Sequence, residues 1–168
     1  DFSASFSLVS RGIERIQPRP GADATFLDAV VETCRDLRKL EIKGALLVAF
    51  IAEQGPEFSN IQSKVVADAL RGAQASLWTM TLQGRDAGPE LTPESRERSA
   101  VIGDVTSQSG GRNDQVLTPQ SLSPAFEKLA NLLLSRYDVT YGRPERLVAP
   151  TRPEVAGRAR SWELSVAL

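Results

Sequence analysis

Apolar positions recur along this chain with two different periods, and the changes of period mark its elements. In residues 2–9, Phe2, Ala4, Phe6 and Leu8 fall at alternate positions, which predicts a strand. Gly12, Pro18, Pro20 and Gly21 then mark a loop that holds at most a helical turn at 13–16. Across residues 25–40 the period becomes helical. Leu27, Val30, Val31, Cys34 and Leu37 line one face, while Glu32, Arg35, Asp36 and Arg38 fill the other. Thr25 followed by Asp28 three residues later reads as a capping box for this helix.

The run 45–52, Ala-Leu-Leu-Val-Ala-Phe-Ile-Ala, is apolar at successive positions. That pattern predicts a strand in the middle of a parallel sheet, covered by helices on both sides. Gln54, Gly55 and Pro56 break the run, after which Ser59 and Gln62 are placed to cap a second helix. Val65, Val66, Ala69 and Leu70 form its stripe, and Gly72 is read as its stop. A strand follows at 75–82. Thr92-Pro93 then opens a helix with proline in its first turn, carrying Val101, Ile102 and Val105 towards Gly110-Gly111. A short extended piece at 115–117 precedes a helix opened by Ser123-Pro124, with Phe126, Leu129, Ala130 and Leu133 on one face. Tyr137, Val139 and Tyr141 alternate as a strand, the proline-bearing stretch 144–153 reads as an extended linker, and Trp162, Leu164 and Val166 suggest a closing strand.

Strands that alternate with helices predict an α/β fold: a three-layer sandwich, Rossmann-like, with a mostly parallel sheet flanked by helices. In such sheets ligands gather beyond the carboxyl ends of the strands. The stretches to inspect are therefore 53–60, 83–91 and the loop before Thr25.

Composition narrows the chemistry. The chain has 168 residues, 41% of them apolar, enough for one domain with a core. Its 20 basic and 21 acidic residues nearly cancel, which argues against nucleic acid or an anionic membrane surface as partner. No run reaches the length of a membrane span. Histidine is absent, which removes imidazole catalysis and histidine-ligated metals. The single cysteine, Cys34, lies on the apolar stripe of its helix and reads as a core residue. Gly110-Gly111 matches neither phosphate-binding glycine fingerprint and reads as a turn. Arg143, Arg146, Arg152, Arg158 and Arg160 give the tail a basic bias, read as a solvated linker.

Two loops keep a choice of roles. Glu53 and Glu57, after the apolar strand, could bind a cation or act as a general base, or could sit at a helix start where the dipole favours carboxylates. Asp23 and Thr25 offer hard oxygens suited to magnesium, or could cap the helix that follows.

Several segments share a resemblance. Gly21-Ala-Asp-Ala-Thr-Phe-Leu-Asp-Ala-Val-Val-Glu32 resembles the loop and helix of von Willebrand factor type A domains, and residues 44–52 resemble that fold's buried fourth strand. Gly55-Pro-Glu-Phe-Ser-Asn60, Gly110-Gly-Arg-Asn113 and the block from Leu129 to Pro144 resemble one bacterial, acidobacterial-type branch of VWFA-related proteins. The resemblance covers residues 2–144 and sets 145–168 apart as an extended tail or closing strand. It implies a non-catalytic, adhesion-type module that binds another protein, in an exported, extracytoplasmic parent whose first strands are missing from this chain.

The same family holds a divalent cation between a D-x-S-x-S loop, a threonine and an aspartate after the fourth strand. Carried over, the threonine falls at Thr25 or, aligned on Asp28-Ala29, at Ala24, and the aspartate at Ala52 or Glu53, which leaves Thr25 and Glu53 as the candidates of a degenerate metal site. Asp1-Phe2-Ser3-Ala4-Ser5 spells the first motif without an apolar strand before it, and reads as chance. No cofactor is therefore expected, magnesium being the one candidate. The alternative reading is a doubly wound α/β hydrolase or transferase with Glu53 or Glu57 as general base. Without the first strands, the apolar flank of 45–51 is expected to lie open.

Overall fold

The computed structural model describes residues 3–17, 24–51, 56–82 and 92–135. The strands predicted around Tyr137 and Trp162, the linker, the boundary at 144, Asp23 and Glu53 lie outside them. Among the described residues the order is α1 (Phe6–Glu14), α2 (Phe26–Lys39), β1 (Leu46–Ile51), α3 (Ser63–Ala73), β2 (Ser76–Leu82) and α4 (Pro93–Ala100). A π-turn (Val101–Val105), α5 (Thr106–Gln108), β3 (Asn113–Val116), a 3-10 turn (Pro119–Ser121) and α6 (Leu122–Leu134) complete it.

The strands form one parallel sheet in the order β1-β2-β3. Side chains alternate across it, so each face has its own core. Leu77 packs with Leu27, Val30, Cys34 and Leu37 of α2, Val66 and Leu70 of α3, and Val101 of the π-turn. Trp78 and Met80 point the other way and pack with Val116 and with Leu129 of α6. Helices therefore cover both faces, and the fold is the α/β three-layer, Rossmann-like sandwich that the alternation predicts.

Three helices follow their sequence signals closely. In α2 all five stripe residues are buried, from Leu27 to Leu37. Thr92 caps α4, its hydroxyl oxygen accepting the Ser95 N–H at 3.1 Å, with Pro93 just inside the helix. In α6 the stripe holds at Leu129, which is buried, while Phe126 lies near Phe50 with ring centroids 6.1 Å apart and the rings tilted by 46°.

Other expectations are corrected. Residues 6–9 of the strand expected at 2–9 are instead the start of α1. Phe6, Val9 and Ile13 follow one another at intervals of three and four, which places them on one face of α1; over eight residues that spacing overlaps with alternation. None of α1 is buried, and Phe6 is 86% exposed. Among the described residues the most apolar strand is not the central one: β1 is an edge, and β2 lies between its neighbours. β2 takes the middle with two threonines because Thr79 and Thr81 hydroxyls both donate to Asn113 Oδ1, at 3.0 and 3.5 Å, so that the polar groups are satisfied inside the sheet.

Gly72 does not stop α3, which runs on to Ala73 and ends at Gln74 in the left-handed conformation, φ 51°. The glycine that the fold does demand is Gly111. A Cβ there would lie 1.8 Å from the Leu77 carbonyl oxygen, so the connection to β3 passes against β2 backbone to backbone.

Candidate functional site

Two loops meet at the carboxyl end of β1. Ala24, just before α2, forms a parallel bridge with Glu57, and the Phe58 N–H donates to the Ala24 carbonyl at 2.8 Å. The start of α2 is thereby fixed against the loop that follows β1. Its orphan backbone donors are met from that loop rather than from its own residues. Glu57 Oε1 accepts the Leu27 N–H at 3.5 Å and the Ser59 N–H at 3.3 Å. Ser59 Oγ accepts the Asp28 N–H at 3.1 Å.

This revises the roles read from sequence. Thr25 stands at the cap position of α2, but its side chain makes no capping hydrogen bond and is exposed. Ser59, expected to cap α3, serves α2 instead. Glu57 does stand at a helix start, where the dipole favours a carboxylate, but the helix is α2 and not the one that follows it in sequence. It is only 3% exposed, and Oε2 has no hydrogen-bond partner among the described residues.

A second carboxylate repeats the device. Glu97 of α4 reaches across to the start of α3, where its Oε2 accepts the Ser63 N–H at 2.6 Å. The hydrogen bonds from Ser63, backbone first and hydroxyl second, hold the Glu97 carboxyl below its ordinary value. No pattern in the sequence announces this partner, because the two residues are 34 positions apart.

Between the loop after β1 and the start of α4 lies an open cleft of about 330 Å³ lined by Pro56, Glu57, Phe58, Asn60, Thr92 and Glu94. It sits at the strand ends, where an α/β sheet gathers its ligands. Asn60 lies in the stretch 53–60 marked for inspection, Thr92 reads in sequence only as the start of a helix, and Glu94 is not singled out by sequence.

The pair carried over for magnesium is not brought together within the described residues, since Glu53 lies outside them. Thr25 alone offers one exposed hydroxyl, and the neighbouring Glu57 gives Oε1 to two amides. Among the described residues no group of three or more metal-ligating acidic or sulfur side chains is assembled.

Cys34 is buried against the α2–α3 core, and burial pushes its thiol up to about 11. A thiol in that state is a poor nucleophile near neutrality. No helix among the described residues is long and apolar enough to cross a membrane. No family model, curated protein or solved structure matches the chain significantly.

Proposed function

We propose that this chain is a non-catalytic module that binds another protein through the surface at its strand ends. The observation that carries the reading is the engagement of Glu57. A general base must be free to reach a substrate proton, whereas Glu57 is buried and its Oε1 already accepts two backbone N–H groups. The cleft beside it is wide, shallow in chemistry and edged by hydrogen-bonding groups on Asn60, Thr92 and Glu94, a surface suited to polar contacts with a partner.

A degenerate type A-like module is our finer reading. Supporting it are the parallel order β1-β2-β3 and the meeting of the Thr25 loop with the loop after β1, the two places where the resemblance puts cation ligands. In this reading the rim of the cleft does the recognising without a metal, and the parent protein is extracytoplasmic.

The test is affinity capture with the wild-type chain and with Asn60→Arg and Glu94→Arg, beside a panel of hydrolase and transferase assays. The expected result is one partner retained by the wild type and lost by both variants, with no turnover. Turnover abolished by Glu57→Gln in a chain that keeps its fold would overturn the reading.

A further inference from the structure

We draw no further inference here: the strongest candidate, the strand-end cleft beside the Glu57 carboxylate, belongs to the site already described, and the one carboxylate oxygen without a partner among the described residues, Oε2, is itself buried, so nothing in the structure shows which group would meet it.

Discussion

Glu97 on α4 places its Oε2 2.6 Å from the backbone nitrogen of Ser63, and so closes the start of a helix that begins 34 residues earlier in the chain. The contact ties α4 to α3 through a charge-assisted hydrogen bond at the positive end of the α3 dipole. Because the folded carboxyl lies below its ordinary value of 4.5, the folded state holds this proton more weakly than the unfolded state does. The resulting stabilisation is present above pH 4.5 and is lost as pH falls through the folded value. Urea midpoints measured against pH should show a step in that acidic window for the wild type. Glu97→Gln should flatten the step and reduce the midpoint near neutrality.

Glu57 performs the corresponding task for α2 from a buried position. Removing its carboxylate in Glu57→Ala leaves the Leu27 and Ser59 N–H groups without their acceptor in a place that water reaches poorly. The expected cost is about 1–3 kcal/mol, read as a lower urea midpoint with unchanged slope. Thr25→Ala, by contrast, should shift the midpoint by less than about 0.5 kcal/mol, because that hydroxyl makes no capping bond. A larger effect at Thr25 than at Glu57 would contradict the assignment of the cap.

The two-residue comparison of Gly111 and Gly103 isolates backbone crowding. At Gly111 an added methyl meets the Leu77 carbonyl oxygen, which is part of the central strand and cannot turn aside. Gly111→Ala should therefore destabilise by roughly 3 kcal/mol or more. Nothing lies within 4 Å of a Cβ at Gly103, so Gly103→Ala should be neutral or stabilise by about 0.5–1 kcal/mol. Thermal melts of the two variants beside the wild type decide the matter.

Cys34 supplies a probe of core integrity. With its thiol raised to about 11, the native chain should react with a thiol reagent only through opening, while unfolded chain reacts at once. The sign for stability is the reverse of that for Glu97. The folded state favours the neutral thiol, so its contribution is complete below 9.0 and is lost as pH rises towards 11. Alkaline unfolding followed by ellipticity should steepen in that range, and Cys34→Ala should remove that part of the slope.

Much of the scaffold could be read directly from residue spacing. The stripe from Leu27 to Leu37 repeats one period long enough to leave a single solution, Pro93 marks the start of α4, and the short apolar run of β1 between breakers reads as a buried strand. Where the window was short the reading failed: Phe6 and Val9 fit a helix, Phe6 and Leu8 fit a strand, and eight residues could not separate them. The site was less legible. Thr25 and Ser59 were recognised as helix-capping residue types, but Ser59 was assigned to the helix after it, because sequence reasoning pairs a cap with its nearest neighbour in the chain.

Outside α1, the sequence by itself determined which of the described segments are helical or extended, and that they alternate, since those properties follow from the local repeat of apolar side chains. Tertiary structure alone decided which strand lies centrally, which loop closes the start of α2 and which carboxylate holds α3. Those outcomes depend on groups about 30 residues apart finding each other across the sheet, as Glu57 finds Leu27. A hydrogen-bond acceptor looks the same in sequence wherever its donor will be. Only the packed sheet sets the distance between them, and so separates a carboxylate free for chemistry from one already committed to a helix end.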